Sequence, residues 1–376
     1  MKKICYIVTI PLTIKAFFIP QLKYLADHGF DVSVICSPDN NMQCELGKKI
    51  KFIPVEMPRG LSVLDSISAI KHIYGIFKKE HFDLIQYSTP NAAFYSSIAG
   101  KLAGVKNRNY HLMGFKYLGS NGFSRLVLKT IEKITCKFST SIECVSSSNL
   151  KFGIDNGIFK PYKATVIWNG STGGIDLERF DYSNRNNYRN EIRTRYNIEE
   201  NAFVYGFVGR ITRDKGINEI LEAFNSIENA KLMLIGDIED EDSLNKVLYK
   251  NSLNDLNIIY VGNVNDVEKY YCAMDVLLLP SYREGFGNVI IEAAAMGTPA
   301  IVSDIPGPID AIEENRTAIK VKPKNVKVLA CAMREIKNRD YIKMGKDAHI
   351  FVSSNFDSDL LNEYILKRKE ELLSVK

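Results

Sequence analysis

Residues 276–303 read VLLLPSYREGFGNVIIEAAAMGTPAIVS and decide the fold. An apolar run at 276–279 leads into a loop with two glycines, Gly285 and Gly287, and a helix-forming run continues to Met296. This order predicts a tight turn between the carboxyl end of a strand and the start of a helix. In open α/β sheets, ligands bind beside such turns, and the free N–H groups of the helix start attract anions.

Two glutamates flank this turn, Glu284 and Glu292, with seven residues between them. Glu292 is expected about two helical turns beyond the loop, where a carboxylate can accept hydrogen bonds from a vicinal diol such as a ribose. We therefore interpret the segment as a nucleotide-sugar site. The alternative is an ordinary helix start with two solvent-exposed glutamates, which would not explain the other motifs of the chain.

The composition is that of a globular protein with more than one domain. The chain has 376 residues, of which 45% are hydrophobic, enough for two cores. Its seven cysteines are scattered without C-x-x-C spacing, which favours reduced thiols in the cytosol. Residues 1–12 are interpreted as a first buried strand rather than a signal peptide, because Lys15 interrupts the apolar run and amphipathic structure follows. No apolar run reaches the length of a membrane-spanning helix.

Charge is divided unevenly along the chain. Residues 1–170 contain 22 Lys and Arg against 11 Asp and Glu, a net charge of +11. Residues 171–376 contain 27 against 33, a net charge of −6, and the two values add to the overall +5. A basic first half predicts that this part of the chain faces a polyanion, either an anionic membrane or a nucleic acid.

Short β-branched runs alternate with helical patterns throughout, which predicts parallel sheets with right-handed crossovers. The strands are predicted at 4–9, 31–36, 83–87, 108–112, 141–145, 203–208, 231–235, 257–261, 276–279 and 300–302. The helices are predicted at 16–28, 62–80, 91–103, 122–138, 147–157, 215–228, 241–251, 265–273, 288–296, 326–337 and 340–353. The alternation breaks at residues 168–174, WNGSTGG, a composition typical of a hinge. The fold class is therefore α/β, with two doubly wound domains at 1–170 and 171–356 and a cleft between them.

Two cations flank the first strand-to-helix turn of the second domain. Arg210 follows the strand that ends Gly206-Phe207-Val208, and Lys215 precedes the next helix. A diphosphate would bind at such a turn, because Arg can donate to two phosphate oxygens and Lys adds a point charge. The alternative is a charged surface turn.

Three weaker patterns leave alternatives open. Asn263 and Val264 follow the third strand of the second domain, where they would either contact a base edge or form an ordinary turn. The acidic triplet Asp240 to Asp242 precedes a helix; we interpret it as solvated capping rather than as ligands of a metal. His111, near a strand end, would either contact a substrate or serve the structure of the domain.

A basic stripe is predicted on one helix of the first domain. Arg125, Lys129, Lys133 and Lys137 recur every four residues and so share a helix face. Aromatic stacking platforms and nucleic-acid motifs are absent from the sequence, which favours an anionic membrane over a nucleic acid as the partner. The alternative is a solvated helix face.

These motifs together resemble the retaining glycosyltransferases of family 4, which have the GT-B fold. The resemblance spans nearly the whole chain and is closest to bacterial transferases that build capsule, O-antigen or other lipid-linked oligosaccharides. The segments that carry it are NGSTGGIDLERF at 169–180, VGR at 208–210, KG at 215–216, EGFGNVIIE at 284–292 and SDIPGP at 303–308.

The resemblance implies roles for particular residues. Arg210 and Lys215 would bind the donor diphosphate, Glu284 would hold the donor sugar with nearby backbone groups, and Glu292 would bind the ribose. The loop at 9–15 would close over the phosphates, and a final helix at about 357–376 would cross back onto the first domain. The donor-binding residues expected in this way are Thr13, Gly173, Asn263, Val264, Gly285, Phe286, Gly287, Asn288, Val289 and Glu292. The resemblance also implies that the enzyme needs neither a cofactor nor a metal.

One position departs from the family pattern. Many relatives have a histidine directly before the Gly-Phe pair that corresponds to Gly114-Phe115, whereas this chain has Met113 there. His111 lies two residues earlier, and in a strand these two positions share a face. We therefore assign His111 a modest catalytic role, together with Arg210, Lys215 and Glu284.

The sequence thus predicts a cytosolic, peripheral membrane enzyme that transfers a hexose or N-acetylhexosamine with retention. The donor would be a UDP-sugar, the acceptor a polyprenyl-diphosphate-linked saccharide, and the protein a monomer or weak dimer. Two rivals remain: an epimerase of the same fold that acts on a UDP-amino sugar, and a partner that binds nucleotide sugar or lipid without turnover.

Overall fold

The computed structural model describes residues 1–57, 63–239 and 244–374. The chain forms two compact units. The first, here called the N-unit, comprises residues 1–173 and 359–376. The second, the C-unit, comprises residues 174–358.

The N-unit is built on a parallel sheet. Its elements are β1 (Lys2–Ile7), α1 (Pro11–Phe17), α2 (Ile19–Asp27), β2 (Phe30–Cys36), α3 (Met42–Leu46), β3 (Ile50–Pro54), α4 (Val63–Glu80), β4 (Leu84–Tyr87), α5 (Pro90–Ala103), β5 (Asn107–Leu112), α6 (Gly122–Phe138), β6 (Ser141–Cys144), α7 (Ser147–Asp155) and β7 (Ala164–Val166). The described strands lie in the order β3-β2-β1-β4-β5-β6-β7, and every pair is parallel. Apolar clusters cover both faces, as a doubly wound sheet requires.

The C-unit repeats this plan. Its elements are α8 (Arg185–Arg195), β8 (Phe203–Val208), α9 (Ile217–Phe224), β9 (Ala230–Ile235), α10 (Lys246–Ser252), β10 (Ile258–Gly262), α11 (Val267–Ala273), β11 (Val276–Leu279), α12 (Asn288–Ala295), β12 (Ala300–Ser303), β13 (Ala318–Val321), α13 (Val326–Lys337) and α14 (Tyr341–Asn355). The described strands are parallel in the order β10-β9-β8-β11-β12-β13. The prediction of two doubly wound α/β sheets is confirmed.

The last helix, α15 (Ser358–Ser374), packs on the N-unit. Leu361 and Ile365 are buried along one side of it. Trp168 stacks on Tyr364 with ring centroids 5.6 Å apart and an interplanar angle of 8°. Lys369, four residues beyond Ile365, is also buried, so this side of α15 ends in a charge rather than in an apolar residue.

Several elements were not predicted, for local reasons. The strands β3, β7 and β13 lie at the edges of their sheets, where short strands carry a weaker apolar signal. The predicted helix at 16–28 is instead the pair α1 and α2, each with a proline in its first turn. The charged sequence of α8 gave no apolar pattern, yet two of its arginines, Arg189 and Arg193, bind the buried carboxylate of Asp275 at 2.8 and 2.9 Å.

Candidate active site

The two predicted donor loops of the C-unit lie side by side. Strands β8 and β11 are neighbours, and the strand order reverses between them, which is the point where open α/β sheets bind ligands. The loop after β8 holds Arg210 and Lys215, and the loop after β11 holds Glu284. The Tyr282 N–H donates to the carbonyl of Asp214 at 2.8 Å and joins the two loops.

Gly216 allows this close approach. Its φ is +79°, and a Cβ there would lie 2.4 Å from the carbonyl oxygen of Pro280. Any larger residue would push the loops apart, because the atom it meets belongs to the backbone. The glycine of the Lys-Gly pair is therefore explained by packing between the loops.

Lys215 and Glu284 form an ion pair between the loops. The Lys215 ammonium donates to Glu284 Oε1 at 2.6 Å, and the two side chains are 20% and 12% exposed. A cation and a carboxylate thus meet at one point of the site, open to solvent on one side. An incoming diphosphate would compete with Glu284 for Lys215.

Arg210 lies at the outer side of the same loop. Its side chain is 53% exposed, and Nη1 donates to Glu239 Oε2 at 2.7 Å. This hydrogen bond raises the pKa of Arg210, with smaller effects from Asp214 and Glu284. The guanidinium is therefore charged and is held by an exposed carboxylate that solvent or an anion can replace.

Asp214 braces the loop from within. Burial alone would raise the pKa of Asp214, but the hydrogen bond from Thr212 at 2.7 Å and the charges of Arg283, Lys215 and Arg210 hold it below its usual range. Arg283 pairs with its other oxygen at 2.9 Å. The ionised Asp214 thus links both loops, a role that no pattern in the sequence predicted.

The glycine turn begins α12 as predicted. Gly287 has φ +91° and precedes Asn288, the first residue of the helix, while Val289 follows within the first turn. Phe286 is buried and packs edge-on against Phe356, with ring centroids 5.2 Å apart. The Phe286 ring is therefore an anchor of the turn, and only its backbone remains for a ligand.

Gly285 is held from the other side of the turn. A Cβ at Gly307, where φ is +104°, would lie 2.8 Å from the Gly285 carbonyl oxygen. The SDIPGP segment that contains Gly307 therefore approaches the turn closely enough to require a glycine.

Glu292 lies in the second turn of α12, four residues after Asn288, the first residue of the helix. The Tyr271 hydroxyl donates to Glu292 Oε2 at 2.7 Å. Burial raises the pKa of Glu292, and this hydrogen bond and the charge of Arg179 oppose the rise. The hydrogen bond from Tyr271 thereby fixes the orientation of the Glu292 carboxylate.

Asn263 and Val264 follow β10 at the same edge of the sheet as Arg210. The backbone here is crowded: the Gly236 N–H donates to the Gly262 carbonyl at 2.9 Å. A Cβ at Gly236 would lie 2.0 Å from the carbonyl oxygen of Gly209. The ends of β8, β9 and β10 are therefore drawn together, with Asn263 exposed beside them.

Thr13 and Gly173 belong to the N-unit. Thr13 is a buried residue of α1, so the segment expected as a loop at 9–15 is largely helical. Gly173 lies against the end of this helix, and a Cβ on it would approach the Phe17 carbonyl oxygen to 3.1 Å. A role for either residue in donor binding stays a prediction.

His111 is buried at the carboxyl end of β5. Its Nε2 lies 3.4 Å from Thr172 Oγ1, and its Nδ1 lies 4.0 Å from Glu143 Oε2. Phe18 contacts the ring edge-on at 5.6 Å between centroids. Burial lowers the pKa of His111 to about 4, with Glu143 opposing the shift and Lys369 adding to it, so the imidazole is neutral at physiological pH.

Family models match most of the chain. The model for glycosyl transferases group 1 matches residues 188–366, and the model for glycosyl transferase 4-like proteins matches residues 3–146. The chain belongs to the group 1 glycosyltransferases.

Similar proteins cover nearly the same length. The glycosyltransferase shares 29% identity with the capsular polysaccharide biosynthesis glycosyltransferase CapM of Staphylococcus aureus, over 96% of this chain and 95% of that one. It shares 27% identity with the UDP-Gal:alpha-D-GlcNAc-diphosphoundecaprenol alpha-1,3-galactosyltransferase of Escherichia coli, over 81% and 80% of the two chains. The crystal structure of Anabaena Alr3699/HepE in complex with UDP superposes with a TM-score of 0.78 at 19% identity, covering 99% of this chain and 100% of that one. The GT-B fold is confirmed.

The basic stripe of the glycosyltransferase lies on α6, whose bounds are those predicted. Arg125, Lys133 and Lys137 are exposed, and the Lys129 ammonium lies 5.9 Å from the centre of the Tyr117 ring. Two exposed apolar side chains accompany the stripe: Phe123 is 80% exposed and Leu126 is 61% exposed. Both lie in the first turns of α6, next to Arg125.

The acidic triplet Asp240 to Asp242 lies outside the described residues, and its interpretation stays a prediction. Among the residues described, no group of three or more His, Cys, Asp or Glu is arranged to hold a metal ion. No described helix is long and apolar enough to span a bilayer.

Proposed function

We propose that this chain transfers a hexose or N-acetylhexosamine, with retention of configuration, from a UDP-sugar to a polyprenyl-diphosphate-linked saccharide in bacterial surface polysaccharide synthesis. The observation that carries the proposal is the meeting of Lys215 and Glu284 at the switch point of the C-unit, with Arg210 on the same loop. Two cations beside a helix-start turn suit a diphosphate, and a carboxylate suits a sugar hydroxyl.

The chemistry follows from where charge develops. The acceptor hydroxyl oxygen forms a bond to the anomeric carbon on the face from which the diphosphate departs, and the bond from that carbon to the phosphate oxygen breaks. The acceptor proton passes to the leaving diphosphate. Arg210 and Lys215 stabilise the negative charge that grows on the diphosphate, and such preorganised charge is commonly the largest catalytic contribution.

The remaining C-unit residues orient the donor. Glu284, released from Lys215 by the diphosphate, would accept hydroxyls of the sugar. The backbone N–H groups of Gly287 and Asn288 would face the sugar or phosphate, and Glu292 would bind the ribose. Asn263 and Val264 would border the base.

The relatives support the choice of donor and acceptor. The name of the E. coli relative specifies a UDP-sugar and a diphosphoundecaprenol-linked acceptor, and the Anabaena neighbour binds UDP. The name of the S. aureus relative places that protein in capsule synthesis. A lipid-linked acceptor would present its saccharide at the inner face of the cell membrane, where we place this enzyme.

The α6 surface supports peripheral membrane binding. Its cations would lie against anionic headgroups, each contributing about 1 kcal/mol, while Phe123 and Leu126 would enter the headgroup–acyl boundary. Exposed aromatic and aliphatic residues beside a cluster of cations are the pattern of an interfacial helix rather than of a solvated face.

A donor and acceptor screen tests the transferase. Purified protein is mixed with UDP-glucose, UDP-galactose and their N-acetylamino counterparts, with and without an inner-membrane lipid extract, and UDP release is measured. Release that depends on both one donor and the lipid, unchanged by EDTA, supports the proposal; the proton coupling constant at the anomeric carbon of the product reports retention. An epimerised donor without UDP release would instead indicate an epimerase, and donor binding without turnover a binding protein.

Arg210→Ala has a matched control in this screen. Arg316 is 54% exposed and pairs with the surface carboxylate of Glu313, which is nearly the situation of Arg210 and Glu239. Arg210→Ala is expected to lower turnover at least about 100-fold, whereas Arg316→Ala leaves it unchanged. Equal turnover in the two variants would show that Arg210 does not contribute to catalysis.

Vesicle sedimentation tests the membrane surface. The double variant Lys133→Glu/Lys137→Glu is expected to lose at least about tenfold in affinity for anionic vesicles, and Phe123→Ser to lose affinity for anionic vesicles at high salt. The control is Lys343→Glu/Lys346→Glu, which reverses two exposed lysines of α14. Equal losses in the two double variants would show that only net charge matters.

A further inference from the structure

The N-unit contains a buried polar network that the proposed donor chemistry does not use. The Lys369 ammonium, on α15, donates to both oxygens of Glu143 at 3.0 and 2.8 Å and to Gln86 Oε1 at 2.6 Å. Asn109 Nδ2 donates to the same Gln86 oxygen at 2.9 Å, and Ser141 donates to Asn109 at 2.8 Å. Each of these side chains is buried.

The network ends at His111. Strands β4, β5 and β6 are neighbours, and they carry Gln86, His111 and Glu143 to the same end of the sheet. A small cavity there is lined by His111, Glu143, Lys369 and Thr172, among others. Within the described part of the chain, His111 Nδ1 is buried without a hydrogen-bond partner, 4.0 Å from Glu143 Oε2.

The loop on the other side of His111 is held in a strained conformation. Ser171, which precedes Thr172, has φ +70°, and its N–H donates to the Val145 carbonyl at 2.7 Å. Gln21 donates to the Thr172 carbonyl at 3.1 Å. A non-glycine residue in this region persists only where its surroundings fix it, so the Thr172 hydroxyl is held in place beside His111 Nε2.

We propose that Glu143 and Lys369 are positioning residues, which together fix the orientation and the protonation state of the His111 imidazole. The inference rests on the proposed transferase and on the modest catalytic role that the sequence analysis assigns to His111. Glu143 alone would hold a protonated imidazole, and Lys369 alone would repel one. Because the two charges are paired, the imidazole stays neutral and faces a fixed dipole.

The proposed role requires the charges of Glu143 and Lys369, whereas a purely structural role would require only that their side chains fill the space. A buried ion pair costs much of its attraction in lost hydration, so apolar residues of similar volume would hold α15 equally well. The charged groups that act on His111 are Glu143 from β6 and Lys369 from α15. Arg368 from α15 and Tyr6 from β1 interact in turn with Glu143. Arg368 lies 3.6 Å from Glu143 and is more exposed than Lys369.

The test measures the pKa of His111 by NMR of the full chain, labelled at histidine. The chain has five histidines, and His111→Asn assigns the signal. Lys369→Met is expected to raise the pKa of His111 by about one unit or more, because the nearby cation that opposes its protonation is removed while the charge of Glu143 remains. Glu143→Gln is expected to lower it, so that His111 no longer titrates above about pH 4.

The double variant Glu143→Gln/Lys369→Met removes both charges and keeps both shapes. It is expected to restore the wild-type pKa of His111 to within about half a unit. Because it leaves no unpaired buried charge, it can be measured even if Lys369→Met folds poorly. The matched control is Lys367→Met, which removes an exposed cation from the same helix. Shifts of the same sign in the two single variants, or shifts no larger than in Lys367→Met, would overturn the proposal.

Activity provides the second measurement. If His111 acts while neutral, Lys369→Met is expected to lose about half of its turnover at pH 5 relative to pH 8, against about a tenth in wild type. The acceptor KM should change little, and the double variant should recover the turnover. If a variant has a shifted pKa of His111 but the same pH profile of turnover as wild type, Glu143 and Lys369 are not positioning residues for catalysis. The NMR result needs no substrate, so failure of the transferase proposal would show separately as a wild-type protein without turnover.

Discussion

Two lysine–glutamate pairs, one in each unit, have similar geometry and different surroundings. Lys215 and Glu284 are 2.6 Å apart and are 20% and 12% exposed. Lys369 and Glu143 are 2.8 Å apart and are each 1% exposed. The first pair can exchange its partner for a phosphate, because solvent replaces part of the lost attraction. The second cannot, because Lys369 alone would be buried without compensation and Glu143 would keep only the more exposed Arg368, 3.6 Å away. Burial, rather than distance, decides which pair can take part in binding.

The largest expected effect separates the pairs by activity. Lys215→Ala removes a cation from the departing diphosphate, so kcat/KM for the donor is expected to fall about 10²- to 10³-fold. The free energy of unfolding should change by less than about 1 kcal/mol, since the pair is partly exposed. Steady-state kinetics and urea denaturation measure both. Activity within tenfold of wild type would contradict the assignment of Lys215.

The buried pair is expected to show the opposite behaviour. Lys369→Ala leaves the buried carboxylate of Glu143 with only the more exposed Arg368, 3.6 Å away, so the free energy of unfolding should fall by about 3–5 kcal/mol. Lys367→Ala on the same helix is the control, with an expected change below about 1 kcal/mol. Urea denaturation followed by Trp168 fluorescence measures the difference. Similar losses of unfolding free energy in the two variants would mean that the buried pair contributes no more to stability than an exposed lysine.

The pH dependence of stability sharpens the comparison for the N-unit. The pKa of His111 is about 4 in the folded protein, below its ordinary value of 6.5. The unfolded chain therefore binds a proton first as pH falls, and stability is lost between pH 6.5 and pH 4, by about 3 kcal/mol. Unfolding of wild type and His111→Asn is compared at pH 7 and pH 4. The variant should lose less stability than wild type over this interval, and parallel losses would contradict the buried neutral imidazole.

The smallest expected effect concerns the exposed partner of Arg210. Glu239→Gln removes a carboxylate that competes with the donor diphosphate, and exposed pairs contribute at most about 1 kcal/mol. The donor KM is therefore expected to fall by no more than about fivefold, with kcat unchanged. A rise in KM would show instead that Glu239 holds Arg210 in its working position.

The sequence predicted the proximity of the C-unit residues better than that of the N-unit network, for a physical reason. Glu284, Gly287 and Glu292 lie on one strand–turn–helix unit, so their spacing along the chain fixes their spacing in space. Arg210 and Lys215 lie on the neighbouring turn, and the strand order of a doubly wound sheet brings the two turns together. Local sequence patterns and one topological rule were sufficient to predict that these residues lie close together.

The network around His111 depends on contacts between distant segments. Glu143 and Lys369 are 226 residues apart, and no local pattern relates them. One signal was present: Leu361, Ile365 and Lys369 are spaced by four, which places the lysine on the buried face of an amphipathic helix. A cation at such a position predicts a buried anion opposite, although the sequence does not name which.

Asp214 and Phe123 show two other limits of prediction from the sequence. The sequence marked charged residues near Asp214 as a surface turn or a phosphate site, and only the backbone contact from Tyr282 shows that Asp214 joins two loops. The α6 stripe was recognised by its cations, but the exposure of Phe123 and Leu126 depends on how the helix packs. The periodicity of the sequence predicts which residues share a helix face, but it does not predict which other residues pack on that face.

The pairing of Glu143 with Lys369 also sets an order of events during synthesis. Ribosomes add about 5–20 residues per second, so Lys369 emerges roughly 10–45 s after Glu143. The whole C-unit is translated within that interval. The nascent N-unit, although made first, holds a carboxylate without its cation until α15 arrives, and is exposed to chaperones and proteases during that time. The first domain to be synthesised is therefore the last to be completed.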